Sequence, residues 1–255
     1  MTLEGRVALI TGGGRGIGRA VSLALAEDGA DIAVNYRRDK DAADETVAAI
    51  RAMGRRAEAV PGSVDVHEDT QSMAAAAISA LGHVDILVNN AGIASRGRSV
   101  ASTEPDEVER LLRVNAVGPH WLCGAVLPSM REQPRGDIVF ISSIATRHYQ
   151  ANGAPYSIGK AAMEALAFTL AKEERRNGIH TNIVAPGLVV TEMGRRLVKG
   201  SAGVEDISTL DAASPYGRVC RPEDVANVVR WLVSDGASYV NGERIYVDGN
   251  GVIGG

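Results

Sequence analysis

The chain has 255 residues, of which 45% are hydrophobic and 23% are charged, as in an ordinary globular domain. This composition excludes disordered and fibrous chains, and the length suits one α/β domain. Lys and Arg total 27 against 31 Asp and Glu, which gives a net charge of −4. That balance gives no reason to expect nucleic acid or an anionic membrane as a partner.

The two cysteines, Cys123 and Cys220, have no close cysteine neighbour, so the sequence predicts neither a disulfide scaffold nor a thiolate zinc site. The histidines are scattered without metal-ligand spacing, and we expect no catalytic metal. The first residues lack the charged segment and apolar run of a signal peptide. No apolar run approaches the ~20 residues of a membrane helix, so we expect a cytoplasmic protein.

Short β-branched or aliphatic runs alternate with helical patterns along the chain. The predicted strands are Val7–Ile10, Ile32–Tyr36, Ala57–Pro61, Val84–Val88, Asp137–Ile141, His180–Val184 and Glu243–Val247. The predicted helices are Ile17–Asp28, Lys40–Met53, Glu68–Leu81, Pro105–Met130, Pro155–Asn177 and Pro222–Ser234. Several strands are continuously apolar, as parallel strands are when helices cover both faces of their sheet.

This alternation predicts a parallel sheet joined by right-handed crossovers. A (β/α)₈ barrel and an open doubly wound sheet both suit the length. Seven predicted strands, with a glycine cluster directly after the first, favour the open sheet. We therefore predict an α/β fold: one Rossmann-type domain over residues 1–255, with a doubly wound parallel sheet of seven strands and helices on both faces. The least periodic stretch, Glu192–Ser214, is predicted to be a loop that closes over substrate as a lid.

The glycine cluster reads Thr11-Gly12-Gly13-Gly14-Arg15-Gly16-Ile17-Gly18. Glycines let backbone N–H groups approach a pyrophosphate closely, and a helix beginning near Ile17 would direct its N-terminus at that anion. The spacing is G-x-x-x-G-x-G rather than the dinucleotide fingerprint G-x-G-x-x-G. Taken alone, a glycine-rich turn of this kind is as often a flexible connection between a strand and a helix as a nucleotide site. Its position after the first strand of a βα series favours a nucleotide site.

Tyr156 and Lys160 are four residues apart in a predicted helix, which places both side chains on one face. A phenol ordinarily ionises near pH 10, and a nearby ammonium group stabilises the phenolate and lowers that pKa. The pair is therefore a candidate acid–base unit for a reaction that makes or breaks an alkoxide. Taken alone, the same spacing is common in ordinary amphipathic helices.

Further segments fit one pattern with this pair. They are Asp65-Val66, Asn89-Asn90-Ala91-Gly92 after the fourth strand, Asn115 in a helix, Ser143 after the fifth strand, and Pro186-Gly187-x-Val189-x-Thr191 after the sixth. Ser143 precedes Tyr156 by thirteen positions. With the glycine loop, these motifs resemble those of the short-chain dehydrogenase/reductase family, in order and along essentially the whole chain.

The resemblance implies hydride transfer between a nicotinamide and a carbonyl or secondary alcohol. Tyr156 would donate the proton, and Ser143 would hydrogen-bond the same oxygen. Lys160 would lower the Tyr156 pKa and hold the nicotinamide ribose. Asn115 would fix a water that links Lys160 to solvent, although a buried structural hydrogen bond is the competing interpretation. The implied coenzyme contacts are Gly12, Arg15, Gly16, Ile17, Gly18, Asp65, Val66, Asn90, Ala91, Gly92, Tyr156, Lys160, Val189 and Thr191.

The end of the second predicted strand bears on the choice of coenzyme. NAD-binding sheets carry an acidic residue there that binds the ribose 2′-hydroxyl, whereas this chain has Tyr36 followed by Arg37 and Arg38. A guanidinium group can grip a 2′-phosphate that a carboxylate would repel, and Arg15 could reach the same phosphate. We predict NADP(H) over NAD(H), with Arg37 as the main contact. The alternative is that both strand-end arginines are merely solvated.

The substrate class stays open from the sequence. Arg218-x-x-Arg221-Pro222-Glu223-Asp224 and the segment Gly242–Gly249 are similar to bacterial 3-oxoacyl-acyl-carrier-protein reductases, which typically carry a glycine where this chain has Thr146. The main alternative is an NAD-linked alcohol, sugar or steroid dehydrogenase. The short C-terminal part disfavours a sugar-nucleotide epimerase. A non-enzymatic nucleotide-binding regulator would usually lack one of the four catalytic residues.

Two expectations concern partners. A small-molecule or thioester carbonyl compound is the expected substrate. The predicted helices Pro105–Met130 and Pro155–Asn177 carry small or apolar residues on more than one face. The family pairs these helices across a two-fold axis, so the resemblance implies a homotetramer.

Overall fold

The protein is described by a computed structural model over residues 2–251. Seven parallel strands form one sheet in the order β3-β2-β1-β4-β5-β6-β7. They are β1 (Val7–Ile10), β2 (Asp31–Tyr36), β3 (Ala57–Pro61), β4 (Ile86–Asn89), β5 (Gly136–Ile141), β6 (Ile179–Pro186) and β7 (Arg244–Val247). The predicted doubly wound sheet is confirmed. Its order reverses between β1 and β4, where sheets of this type bind ligands beyond the carboxyl ends of the strands.

Helices connect the strands and cover both faces of the sheet. They are α1 (Gly16–Glu27), α2 (Lys40–Ala52), α3 (His67–Leu81), α4 (Pro105–Leu112), α5 (Gly118–Met130), α6 (Ala145–His148), α7 (Ala154–Glu173), α8 (Glu192–Ala202) and α9 (Pro222–Leu232). Alternate residues of β1 point to opposite layers. Ala8 and Ile10 belong to the core shared with α1 and α9, whereas Val7 and Leu9 belong to the core shared with α3 and α5. Each face of the sheet therefore has its own buried core.

The predicted single helix Pro105–Met130 is wrong at one turn. A π-helical turn, Arg113–Val117, separates α4 from α5, and the Gly118 N–H bonds to the Arg113 carbonyl five residues back. The backbone passes so close to Val64 here that a Cβ on Gly118 would clash with the Val64 carbonyl oxygen. Single π turns inside helices are often found at functional sites.

The predicted irregular loop Glu192–Ser214 is also wrong in its structure. Its first half is helix α8, whose N-terminus is capped by the Thr191 hydroxyl accepting the Gly194 N–H at 3.0 Å. Its second half contains a 3₁₀ segment, Ile207–Ala213. A small core of its own, with Val198 and Ile207 buried, holds the segment together. Glycines within α8 obscure its helical periodicity in the sequence. The role of a lid stays a prediction.

None of the helices found between residues 2 and 251 is both long and apolar enough to cross a bilayer.

Candidate active site

Ser143 and Tyr156 meet at the carboxyl end of β5, where the first turns of α7 pass over the strand end. The Ser143 hydroxyl hydrogen-bonds the Tyr156 phenol. The same hydroxyl oxygen accepts the Ala145 N–H at 3.2 Å, which fixes the Ser143 rotamer. One turn further along α7, the Lys160 Nζ atom lies 5.9 Å from the centroid of the Tyr156 ring. The structure thus brings the predicted serine, tyrosine and lysine together.

Lys160 is buried, with 4% of its surface exposed, and its ammonium group has one close protein acceptor. The Nζ atom donates to the Ile141 carbonyl oxygen at 2.7 Å. Burial lowers the pKa of Lys160 to about 8, and the negative charge of Glu164 acts in the opposite direction. A Cβ placed on Gly92 would lie 3.4 Å from this nitrogen, so the glycine keeps the space beside the amine open.

Asn115 lies in the π-helical turn and is completely buried. Its side-chain oxygen accepts the Ile93 N–H at 3.1 Å, and its Nδ2 atom donates to the Ile93 carbonyl at 3.1 Å. A Cβ on Gly159 of α7 would lie 3.2 Å from the Asn115 Cβ, so a glycine there lets the two helices approach. The predicted buried structural bond is present. These two bonds engage one donor and one acceptor site of the amide. The action of Asn115 on a water that links Lys160 to solvent stays a prediction.

The pKa of Tyr156 does not follow the sequence prediction. Burial raises it above its ordinary value of 10, and the hydrogen bond from Ser143 opposes this only in part. The predicted net lowering of the Tyr156 pKa is therefore wrong, because burial of the phenol determines the direction of the shift. The Lys160 ammonium donates its close hydrogen bond to the Ile141 carbonyl oxygen. Tyr156 therefore holds its proton at neutral pH.

The glycine loop is joined to the end of β4 by a compact set of hydrogen bonds. The Thr11 hydroxyl accepts the N–H groups of Asn90 and Ala91, each at 2.9 Å. The Asn90 Nδ2 atom donates a hydrogen bond to the Thr11 carbonyl oxygen at 2.8 Å. A Cβ on Gly18 would clash with the Gly12 carbonyl, so only glycine fits where α1 packs on the loop. Asn90 therefore holds the glycine loop against the end of β4.

Sequence reasoning missed Asn35, a buried amide within β2. Its Oδ1 atom accepts the Gly12 N–H at 3.2 Å. Its Nδ2 atom donates to the carbonyls of Val60 and Gly62, both at 3.1 Å. Asn35 thus fixes the loop from the opposite side. The signal was available, because a polar residue in an otherwise apolar buried strand needs hydrogen-bond partners.

The N-terminus of α1 fits an anionic group. The helix begins at Gly16, directly after Arg15, with no side-chain cap and no acidic residue in its first turn. Gly16 has a positive φ of 53°, a backbone conformation that residues other than glycine rarely adopt. An uncapped helix N-terminus carries unpaired N–H groups and partial positive charge. The pyrophosphate of a dinucleotide suits that environment.

Residues 186–191, which include the predicted coenzyme contacts Val189 and Thr191, lie against the glycine loop. A Cβ on Gly16 would lie 3.3 Å from the Thr191 Cγ2 atom. Val189 pairs with Cys220 in an isolated parallel bridge, which anchors the segment. Thr191 and the glycine loop therefore face each other at the entrance of the site.

The strand-end arginines Arg37 and Arg38 are exposed, which fits both the predicted phosphate contact and the alternative of solvated side chains. Within residues 2–251, the side chains of Arg37 and Arg38 have no ion pair or hydrogen bond to protein groups. Asp39, the nearest acid in sequence, accepts the Ala42 N–H at 3.2 Å and so caps α2. Farther along the same edge, Asp65 accepts a hydrogen bond from Ser63, and Val66 is 41% exposed.

No group of His, Cys, Asp and Glu side chains in the part of the chain that the structure describes is arranged to hold a metal ion.

The comparisons with known proteins agree with this geometry. A family model described as enoyl-(acyl carrier protein) reductase matches residues 12–251. L-rhamnose 1-dehydrogenase (NAD(P)⁺) of Sphingomonas sp. is 37% identical over 97% of this chain and 96% of that protein. The chain belongs to the short-chain dehydrogenase/reductase family. The 3-oxoacyl-[acyl-carrier-protein] reductase of Staphylococcus epidermidis is 35% identical over 95% of this chain and 97% of that protein.

A solved structure extends the likeness. The 7α-hydroxysteroid dehydrogenase complexed with NADH and 7-oxo glycochenodeoxycholic acid has a TM-score of 0.90 and 31% identity, and the match covers 98% of this chain and 96% of that one. This short-chain dehydrogenase/reductase resembles the 3-oxoacyl-[acyl-carrier-protein] reductases, and it is an oxidoreductase that acts on carbonyl or alcohol groups with a nicotinamide coenzyme.

Proposed function

We propose that this enzyme reduces a ketone with NADPH and that a 3-oxoacyl thioester is its first candidate substrate. One observation carries the proposal: Ser143, Tyr156 and Lys160 converge beside Gly92, at the carboxyl ends of β4 and β5. The coenzyme, when bound, supplies the hydride. The protein then has to deliver a proton to the resulting alkoxide and orient the substrate oxygen.

The protonation states suit reduction. Tyr156, whose pKa burial raises, holds a proton that it donates to the substrate oxygen. The Ser143 hydroxyl donates a hydrogen bond to the same oxygen. Lys160, with a pKa of about 8, is mostly protonated at neutral pH and stabilises the phenolate left on Tyr156. In the oxidation of an alcohol the same groups act in reverse, with Tyr156 as the base.

The preference for NADPH is supported by charge at the end of β2. Arg37 is exposed and has no protein partner within the described residues, so it is free for a 2′-phosphate. Arg15 stands across the same edge, with its Nη1 atom 3.8 Å from the Asp39 carboxylate. No carboxylate takes the place of Tyr36, where an acid would bind a ribose 2′-hydroxyl. Comparison of kcat/KM for NADPH and NADH tests this preference.

The substrate proposal is supported by the likeness to 3-oxoacyl-[acyl-carrier-protein] reductases. A screen should compare 3-oxoacyl thioesters with cyclic ketones, sugars, steroids and 2-enoyl thioesters. Faster turnover of a sugar or steroid alcohol with NAD⁺ would favour the second candidate, a dehydrogenase like the rhamnose and hydroxysteroid enzymes.

We also propose that the enzyme is a cytoplasmic homotetramer. Val117 and Ile158 are 38% and 46% exposed, on the two helical segments that the resemblance places at a two-fold interface. Cys123 and Cys220 are free thiols, which suits a reducing compartment. Light scattering at micromolar concentration is expected to give four times the chain mass, and a monomer would overturn the tetramer.

A further inference from the structure

Glu164 is a buried carboxylate one turn beyond Lys160 on α7, with 4% of its surface exposed. Its Oε1 atom accepts hydrogen bonds from the hydroxyls of Ser142, at 2.5 Å, and Thr146, at 2.8 Å. Its Oε2 atom accepts a hydrogen bond from the Arg244 Nη1 atom at 2.6 Å. A buried charge is tolerated only when it is paired and hydrogen-bonded, and this one is engaged through both oxygens.

The position of Glu164 relates it to the proposed catalytic residues. Three consecutive residues at the end of β5 are each bonded to a different turn of α7. The Ile141 carbonyl accepts from Lys160, the Ser142 hydroxyl donates to Glu164, and the Ser143 hydroxyl bonds Tyr156. The Ser142–Glu164 bond therefore lies between two contacts of the site. A shift of Ser142 would move the acceptor of Lys160 and the hydroxyl of Ser143 together.

Thr146 connects helix α6 to the Glu164 carboxylate. It lies in α6, directly after the Ser143 turn, and is buried. Its single hydroxyl proton is shared between Glu164, at 2.8 Å, and the Ser143 carbonyl oxygen, at 3.0 Å. A glycine, which 3-oxoacyl-acyl-carrier-protein reductases typically carry at this position, would lack both contacts. Thr146 thus holds the turn that presents Ser143 toward α7.

The charge of Glu164 also acts on Lys160. It favours the protonated form of the lysine, against the effect of burial. Other ionisable groups surround the pair. They are Tyr156 on α7, Arg147 on α6, Arg244 and Tyr246 on β7, and Asp248 directly after β7. The guanidinium groups of Arg147 and Arg244 each lie 5.0 Å from the centroid of the Tyr246 ring. The Asp248 carboxylate lies 3.8 Å from the Arg147 guanidinium. Of these, Arg244 is bonded directly to Glu164 and offsets part of its negative charge.

We propose that Glu164 is a positioning residue, which holds the Ser143 hydroxyl and the Lys160 ammonium in register with Tyr156 through Ser142, Thr146 and Arg244. The inference rests on the proposed catalytic roles of Tyr156 and Lys160. Glu164 itself contacts none of these three side chains through a hydrogen bond in the described residues, so it acts only through its partners and its charge.

The first test compares Glu164→Gln with Glu174→Gln. Glu174 is a matched control, because it is also a buried carboxylate on α7's C-terminal side, bonded by Arg131 and Asn177. We expect Glu164→Gln to lower kcat about 10- to 100-fold, with the coenzyme KM changed by less than about 2-fold, because small displacements of reacting groups are costly. Glu174→Gln should leave kcat within about 2-fold of wild type. Equal kcat in wild type and Glu164→Gln would count against the proposal.

The second test follows Lys160 directly and needs no substrate. The chain has four lysines, Lys40, Lys160, Lys172 and Lys199, so ε-¹³C-lysine NMR gives an assignable spectrum. Loss of the Glu164 charge should move the Lys160 titration about one pH unit lower, whereas Glu174→Gln should leave it in place. A wrong catalytic or substrate assignment would change the kinetics without changing this titration. An unshifted Lys160 titration in folded Glu164→Gln overturns the proposal.

Variants of Thr146 decide the case in which Glu164→Gln fails to fold. Thr146→Val keeps the shape and removes the hydroxyl that donates to Glu164, and Thr146→Ser restores it. We expect kcat to fall about 3- to 10-fold in Thr146→Val and to return to near wild type in Thr146→Ser. Equal kcat in the two variants overturns the proposal.

Discussion

The Arg15 guanidinium lies 3.0 Å from the Glu192 carboxylate, so an ion pair joins the glycine loop to the first turn of α8. Both side chains are more than half exposed, and such pairs contribute little to stability. Glu192 nevertheless pairs with the guanidinium group that we propose as a contact of the NADPH 2′-phosphate. A bound phosphate and Glu192 would therefore compete for Arg15.

Glu192→Gln is expected to strengthen NADPH binding. Removal of the competing carboxylate frees Arg15, and the KM for NADPH should fall about 2- to 5-fold while that for NADH stays constant. Glu205→Gln is the control, because Glu205 forms a similar exposed pair with Lys199 at the far end of α8. An equal fall in both variants would show that the effect is not specific to Arg15. Initial-rate kinetics over a range of coenzyme concentrations provide the measurement.

Arg37→Asp is expected to weaken NADPH about 10- to 150-fold and NADH little, because charge-assisted hydrogen bonds contribute ~1.5–3 kcal/mol each. Arg38→Asp makes the same change of charge one position away and should have a much smaller effect. Fluorescence titration with both reduced coenzymes measures the dissociation constants. A wild-type enzyme whose kcat/KM with NADH equals or exceeds that with NADPH would refute the proposed preference.

Tyr156→Phe is expected to lower kcat about 10²- to 10⁴-fold, because it removes only the proton donor. Folding and coenzyme affinity should stay near wild type. Tyr239→Phe is the control, since Tyr239 is fully exposed and lies outside the proposed site. Turnover of Tyr156→Phe within a few-fold of wild type would rule out the assigned role.

The pH dependence follows from the shifts of Lys160 and Tyr156. Reduction uses both groups in their protonated forms. Lys160 loses its proton as the pH rises through about 8, before Tyr156, whose pKa burial raises above 10. We therefore expect log kcat/KM for ketone reduction to be level near pH 7 and to decline above pH 8. Oxidation of the alcohol, which needs the phenolate, should instead become faster with rising pH. A reduction rate that stays constant to pH 9.5 would be inconsistent with this assignment.

The segment 192–214 is expected to close over bound substrate. It follows Thr191 directly and packs around its own small core, with Met193 and Leu197 41% and 53% exposed. Hydrogen exchange in this segment should slow markedly when coenzyme and substrate are both added. The neighbouring helix α9 serves as an internal reference that should change little. Strong, identical protection of residues 192–214 in both conditions would argue against a lid.

The sequence predicts the sheet well because parallel strands buried on both faces contain continuous apolar runs, as at residues 86–88 and 138–141. It also predicts which motifs meet, because the carboxyl ends of parallel strands share one edge. The π-helical turn was missed because an extra residue leaves apolar side chains at near-helical spacing on both sides.

The contacts of single polar residues could not be predicted in the same way. Glu164 reads as an ordinary helix surface position, and its partner Arg244 is 80 positions away on β7. Asn35 is bonded to the glycine loop and to residues 60–62 at the end of β3. Only the tertiary arrangement shows that such side chains are buried, and no local spacing specifies their partners. The same holds for the Tyr156 pKa, since it depends on the burial of the phenol and on its contact with Ser143.

The π-helical turn constrains how the chain can change in length. A π turn absorbs one extra residue, so the faces of the helical segments on its two sides stay aligned. A deletion within Arg113–Val117 that restored a regular helix would therefore leave Leu122 and Val126, both fully buried, against the sheet, but it would narrow the turn that carries Asn115. It would also withdraw Asn115 from Ile93. Single-residue deletions should be tolerated in the exposed loop near Gly97 long before they are tolerated here.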